Sequence, residues 1–305
     1  MDLVLDHATK FYGPVIGINN VSCRVAPGIT GLLGANGAGK STLIKLASGQ
    51  LRPDQGRVLI GRRRAWSTAA KRHLGYSPDL DSFYEDMTGR EFVYTMACLY
   101  GYPRSEARRR AEEALAEVGM RERASRRLAG CSHGMRQRIK LAQAFVHDPD
   151  VLLLDEPLSG IDPGGRREIN ELLRRFAARG KTILLSSHIL VEVENLADSI
   201  LMIARGRIVA SGTLAEVRGL LEDRPLTVEI ETGQARRLAS LLAEVSDVRS
   251  VRIVDETLRV ETRNPGRFFP LVGQLVLEHN LPLRRMQAVD AGIDAVFNYL
   301  ERPGR

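Results

Sequence analysis

Residues 34–42 read Gly34-Ala35-Asn36-Gly37-Ala38-Gly39-Lys40-Ser41-Thr42, which fits G-x-x-x-x-G-K-[ST]. They stand between a short apolar run, Ile29 to Leu33, and a helical pattern carrying Leu43, Ile44, Leu46 and Ala47. A strand, a glycine-rich loop and a helix in that order open an α/β phosphate-binding unit. Glycines at these spacings let backbone N–H groups turn inward at close range, and the following helix presents its positive dipole end. Lys40 is placed to reach the β- and γ-phosphates of a nucleoside triphosphate, and Ser41 to ligate Mg²⁺.

A second run, Val151-Leu152-Leu153-Leu154-Asp155-Glu156, is a buried strand ending in two acids. Asp155 is assigned to the Mg²⁺ shell, since Mg²⁺ keeps several waters and takes few protein carboxylates. Glu156 points differently and is the candidate to orient or deprotonate an attacking water. Around these two runs the chain alternates strands and helices. Leu3 to Phe11 and Val15 to Val25 are extended and separated by the turn dipeptide Gly13-Pro14. An interval from about 83 to 146 is mostly helical, with Ser105 as an expected N-cap. The fold class that follows is α/β, a mostly parallel sheet covered on both faces, with an antiparallel N-terminal subdomain and a helical subdomain.

A turn-like stretch, Leu221-Glu222-Asp223-Arg224-Pro225, sets the expected domain boundary, giving residues 1–220 and 221–305. The second unit reads β-α-β-β-α-β, the ferredoxin-like order, with Phe268, Leu271, Val272, Leu275 and Val276 on one helix face. A closing helix is expected where Ile293, Val296, Phe297 and Leu300 share a face. Charge divides at the same place. The chain carries +7 overall, made of +8 up to residue 220 and −1 beyond it. That excess admits attraction to nucleic acid or acidic headgroups. Dispersed arginines on solvated helix faces are the simpler reading, because Arg108 to Arg110 precede Glu112, Glu113 and Glu117 at helical spacings. Cys23, Cys98 and Cys131 form no CxxC pair, so a zinc or disulfide framework is not expected. No apolar run reaches the roughly 20 residues a membrane span needs. Asp2 and Asp6 stand where a secretory signal would be basic, so a cytoplasmic location is expected.

Further motifs make a resemblance specific. Cys131-Ser132-His133-Gly134-Met135 opens a helix about twenty residues before Asp155 and resembles the signature motif, LSGGQ, of the ATP-binding cassette superfamily. His188, in Ser186-Ser187-His188, resembles that family's switch histidine. Ser159-Gly160-Ile161-Asp162 resembles its D-loop, and Tyr12 the aromatic on which adenine stacks. The motifs run in the family's order from residue 10 to about 210. The resemblance implies a head-to-tail homodimer around two ATP. Tyr12, Gly34 to Thr42, Asp155, Glu156 and His188 of one chain would hold each nucleotide, and Ser132, Gly134 and Met135 would come from the other, with Asp162 as a D-loop contact. Elementary physics agrees, since the start of the Gly134 helix is a second anion site on a chain whose phosphate loop already has its own helix.

Departures are equally specific. Tyr76-Ser77-Pro78-Asp79 stands where the family usually has a metal-binding Gln, so Asp79 is the candidate metal contact there. The signature carries Cys131 for Leu, His133 for Gly and Met135 for Gln, while Ser132 and Gly134 are kept. The form SxGM, together with Gly292-Ile293-Asp294-Ala295-Val296-Phe297, resembles cassettes that drive ABC-2 type exporters. The expected function is therefore an ATP-hydrolysing subunit held at the inner face of a membrane by a separate transmembrane permease. That permease is expected to dock on the interval from Phe83 to Ala129, and no nucleic-acid partner is expected. The alternative is a soluble cassette ATPase acting on nucleic acid or the ribosome, which the +8 unit would suit.

Overall fold

The computed structural model describes residues 1–213, 215–217, 226–255 and 257–289, without the side chains of residues 190 and 191. Its contacts separate two units, Met1–Leu214 and Ala215–Arg305. The stretch 221–225, expected to be the boundary, and the expected closing helix with Ile293, Val296, Phe297 and Leu300 lie outside the described residues, as does most of the helix expected over residues 214–221.

The first unit is built on two sheets. Strands β1 (Leu3–Tyr12), β2 (Val15–Val25), β4 (Gln55–Ile60) and β5 (Arg63–Arg64) form an antiparallel sheet in the order β2-β1-β4-β5. The turn at Gly13-Pro14 joins its first two strands, where Gly13 takes a positive φ. The other sheet contains β3 (Gly28–Leu33), β6 (Leu74–Ser77), β7 (Val151–Asp155), β8 (Thr182–Ser187), β9 (Ser199–Ala204) and β10 (Arg207–Thr213). Its order is β10-β9-β3-β8-β7-β6, parallel except for the β9–β10 pair. Every residue of β7 is buried, as expected of a strand covered on both faces. Helix α1 (Lys40–Ala47) leaves the end of β3, and its Leu43, Ile44 and Leu46 pack among Leu3, Leu5, Val58 and Ile60 of one sheet and Leu153, Leu184 and Leu201 of the other. Each such side chain contributes roughly 1.5 to 3 kcal/mol on full burial, so this core fixes where the loop before α1 must lie.

Parallel register decides what meets at the loop. Leu33 is level with Ser187, and Asp155 with Ser186. The carboxyl ends of β3, β7 and β8 therefore open onto one crevice, the usual ligand position in a doubly wound sheet.

After the short α2 (Thr68–Lys71) and β6, the helical interval holds α3 (Gly89–Leu99), α4 (Arg104–Glu117) and α5 (His133–Phe145). Thr88 and Glu91 close a capping box on α3. Ser105 does not cap α4. That helix begins at Arg104 behind Pro103, whose fixed φ of −57° sets the chain direction one turn position earlier. Arg109 and Arg110 pair with Glu106, and Arg109 also with Glu113, so part of the positive run is offset along its own helix. Helices α6 (Pro163–Ala178) and α7 (Leu190–Glu194) complete the unit.

The second unit runs β11 (Leu226–Thr232), α8 (Ala235–Ala243), β12 (Val248–Val254), β13 (Thr257–Thr262), α9 (Pro265–Glu278) and β14 (Leu283–Ala288). Its antiparallel sheet has the order β12-β13-β11-β14, the ferredoxin-like arrangement. Val228, Ile230, Leu258 and Val260 alternate onto one sheet face and meet Leu238, Leu242, Phe268 and Val272 of the helices.

Candidate nucleotide site

The phosphate loop is shaped by two glycines in left-handed conformations. Gly37 has φ +82° and Gly39, the residue before α1, φ +111°. A Cβ on Gly39 would come within 2.8 Å of the Gly17 carbonyl, so conformation and space both demand glycine there. Lys40 is only 7% exposed, and its ammonium donates to the Gly34 carbonyl at 2.6 Å and the Ala35 carbonyl at 3.3 Å. It thus folds back along the loop, 3.8 Å from Glu156 Oε1.

Asp155 at the end of β7 is 4% exposed and accepts from the Ser186 hydroxyl of β8 at 2.5 Å. The same Ser186 oxygen accepts from the Glu156 N–H at 2.9 Å. No sequence motif announces Ser186; its place one strand over from Asp155 follows from the parallel register. Glu156 takes φ +49°, a left-handed conformation uncommon outside glycine. That conformation turns its carboxylate onto His188 Nδ1, which lies 3.1 Å from each oxygen. Burial pushes the Glu156 carboxyl above the ordinary glutamate range, against the lowering effect of His188 and Lys40. A carboxylate raised in this way beside a phosphate loop suits a general base.

A cavity of about 330 Å³ is lined by Ala35, Asn36, Gly37, Gly39, Lys40, Ser41 and Thr42 of the loop, by Tyr12, and by Asp79, Asp155 and Glu156. Gly34 and Ala38 lie behind this wall; a Cβ on Gly34 would meet the Ile203 carbonyl and the Ala38 side chain. Tyr12 is half exposed at the mouth, its hydroxyl 3.5 Å from Thr42 Oγ1, and its ring lies where a Cβ on Gly17 would fall. Val15, Ile16 and Gly17 add an apolar wall that no motif announces.

Ser41, Asp79 and Asp155, the residues expected to contact a metal, all line this cavity. Among the described residues no three His, Cys, Asp or Glu side chains converge on a metal position. One buried carboxylate and one hydroxyl, with the exposed Asp79 nearby, match an ion such as Mg²⁺ that is bound mainly by phosphates and water. The three residues also border an adjoining cavity of about 600 Å³, which runs past Tyr76, Phe83, Phe92 and Met96. The Asp79 segment is held from α5, with Lys140 donating to the Asp79 carbonyl at 2.6 Å and pairing with Asp81 at 3.0 Å. Burial and the Asp155 charge push the Tyr76 phenol up to about 12.

The remaining predicted residues lie elsewhere. Ser132 caps α5 and accepts from the Met135 N–H at 3.3 Å. With Gly134, Met135 and Asp162 it lines a separate cavity of about 510 Å³ beside the Gly119–Arg123 turn. None of its lining residues borders the phosphate-loop cavity. Asp162 accepts from the Gly165 N–H at 3.1 Å and caps α6, with Pro163 in the first turn. That capping bond holds its carboxyl below the usual aspartate range.

Comparison with known proteins agrees with this geometry. A family profile described as "ABC transporter" matches residues 18–159. The chain is 37% identical over 240 residues to an uncharacterized ABC transporter ATP-binding protein of Synechocystis, covering 78% of this chain and 67% of the relative. It is 32% identical to the daunorubicin/doxorubicin resistance ATP-binding protein DrrA of Streptomyces peucetius, over 94% of this chain and 88% of that one. A solved structure described as the ATP binding subunit of an ABC transporter superposes with a TM-score of 0.67 at 32% identity, covering 72% of this chain and 93% of that chain. A phosphate loop, a paired Asp155 and Glu156, a histidine on the glutamate and a helix-capping Ser132 in one cassette, with relatives spanning nearly its whole length, place the chain in the ABC transporter family as an ATP-binding protein.

Proposed function

We propose that the chain is the ATP-hydrolysing subunit of a membrane exporter, working as a head-to-tail homodimer around two ATP with a separate transmembrane permease. The observation that carries the hydrolytic reading is the contact of His188 with Glu156, 3.1 Å to each carboxylate oxygen, beside Lys40 and the phosphate loop. In this reading Lys40 and the loop N–H groups bind the phosphates, and Ser41 and Asp155, with Asp79 lining the same cavity, would hold Mg²⁺. When bound, Mg²⁺ would supply neutralisation of the charge that develops in phosphoryl transfer. Glu156 accepts the proton of the attacking water while His188 orients the carboxylate. Tyr12 offers its ring to adenine.

The dimer reading rests on the two cavities. Ser132, Gly134 and Met135 form an anion-accepting helix start remote from the loop of their own chain, and Asp162 lines the same cavity. A phosphate bound there in a second chain would complete each site and close the interface. Export is supported by the likeness to DrrA, whose name describes drug resistance, over 88% of that protein's length. No helix among the described residues is long and apolar enough to cross a membrane, so the reading needs the permease and places this chain at the membrane's inner face through it.

The test is Glu156→Gln in the full chain. Nucleotide binding is expected to persist, turnover to fall by roughly 10² to 10⁴-fold as for a lost general base, and a dimer to accumulate with ATP in size-exclusion chromatography. Unchanged turnover would remove Glu156 from the role, and a monomer under saturating ATP would remove the dimer.

A further inference from the structure

Glu156 is held by more than its charged neighbours. Its left-handed backbone, φ +49°, persists only where surrounding groups fix it. Ser186 holds the N–H at 2.9 Å and His188 the carboxylate. The carbonyl accepts from the Ser159 N–H of its own turn at 3.2 Å and is also held, more tightly, from another element. Gln137 of α5 donates from Nε2 to the Glu156 carbonyl at 2.8 Å.

Gln137 is 1% exposed, and its Oε1 has no hydrogen-bond partner among the described residues. A buried amide with half of its capacity unmet is unfavourable compared with an apolar side chain of the same volume. Packing does not explain it, because Met or Leu would fill the space without an orphaned oxygen. The amide orientation is also forced, since the reverse would set Oε1 against the Glu156 carbonyl oxygen. What remains specific to glutamine is the one bond to Glu156. Gln137 stands five residues after Ser132, the cap of α5, so at 1.5 Å per residue it lies about 7.5 Å along the helix from the signature serine.

We propose that Gln137 is a positioning residue for hydrolysis, fixing the left-handed backbone of Glu156 and tying it to the helix that begins at Ser132. The proposal rests on Glu156 being the base. The base is then set by the same rigid element whose start faces the second cavity, so engagement of phosphate at Ser132 and the aim of Glu156 are mechanically linked. Ser132 and Gln137 share one helix, and Gln137 and Glu156 share one hydrogen bond.

The experiment uses the full-length chain. Gln137→Met keeps volume and removes the donor. It is expected to keep ATP affinity, read with a fluorescent ATP analogue, while kcat falls on the order of 10²-fold, as for a misplaced catalytic group. In a Glu156→Gln background the same change should lower the residual turnover no further. Gln137→Glu supplies a readout that a purely structural role would not move. Its protonated carboxyl can donate to the Glu156 carbonyl and its ionised form cannot, so its turnover should gain a descending limb with rising pH that the parent lacks. Wild-type kcat in Gln137→Met, a parallel fall in ATP affinity, or a Gln137→Glu profile that follows the parent would each overturn the proposal. If Glu156→Gln itself keeps full turnover, the base assignment fails first, and the two failures are distinguishable.

Discussion

At Glu156, burial works against charge, and the consequence for stability can be worked out. The folded-state pKa lies above the ordinary glutamate value of 4.5, with desolvation the largest cause and His188 and Lys40 opposing it. A group shifted upward contributes stability below its unfolded pKa and loses it as pH rises through the folded one. At pH 7, above the ordinary glutamate value, the ionisation equilibrium of this group therefore favours the unfolded chain. Glu156→Gln, which carries no charge to desolvate, should raise the unfolding midpoint at pH 7, by about 2–4 °C for each kcal/mol in a unit of this size. The gain should vanish as pH falls below 4.5, where the parent is protonated in both states. Differential scanning fluorimetry across pH checks this, and a lower midpoint at pH 7 would show that the pairs with His188 and Lys40 outweigh desolvation. Most of the residue-level site was legible because each motif is contiguous. Gln137 and Ser186 were not, because their contacts to Glu156 depend on how α5 and β8 pack beside β7.

Between elements, the loop before α6 meets the start of α5 through one glycine. Gly160 has φ +66°, and the His133 ring occupies the space where a Cβ on it would lie. Two separable effects forbid a side chain there, the left-handed backbone and the imidazole. Gly160→Ala should destabilise the fold by about 1–2 kcal/mol from the backbone alone, with an added term from the ring. His133→Ala in the same chain should relieve the ring term and leave the backbone term. Urea denaturation of the two single variants and the double variant measures both, and purely additive values would mean that the ring moves aside freely. His133 stands where the resembling motif has glycine, so a departure visible in sequence has its structural counterpart in the next loop. Backbone geometry, rather than packing, explains the earlier start of α4. Ser105 is a good cap by chemistry, but Pro103 already fixes the entry of the helix at Arg104.

For the whole molecule, the alternation of strands and helices and the order β-α-β-β-α-β were readable from periodicity, whereas strand order was not. The central place of β3 between β8 and β9 follows from long-range pairing that no local pattern encodes. That order is what brings Lys40, Asp155, Glu156 and His188 to one crevice and leaves Ser132, Gly134, Met135 and Asp162 at another cavity. In the proposed head-to-tail dimer each of these cavities is completed by the second chain, and that pairing has an arithmetic consequence. Lys40→Ala disables the phosphate loop of its own chain, and Ser132→Arg disables the helix start offered to the other. In a mixed dimer of one such chain with the other, both defects fall on the same composite site and the second site is intact. Homodimers of either variant have none. Mixing the two inactive variants should therefore restore ATP turnover, to at most about a quarter of the wild-type rate if chains pair at random and sites act independently. If the two sites fire only together, the mixture stays inactive, and ATP-dependent dimers in that mixture then retain one tightly bound nucleotide per pair. A mixture that shows no turnover and no tightly bound nucleotide in its mixed dimers would show that each site is built within one chain and would overturn head-to-tail assembly.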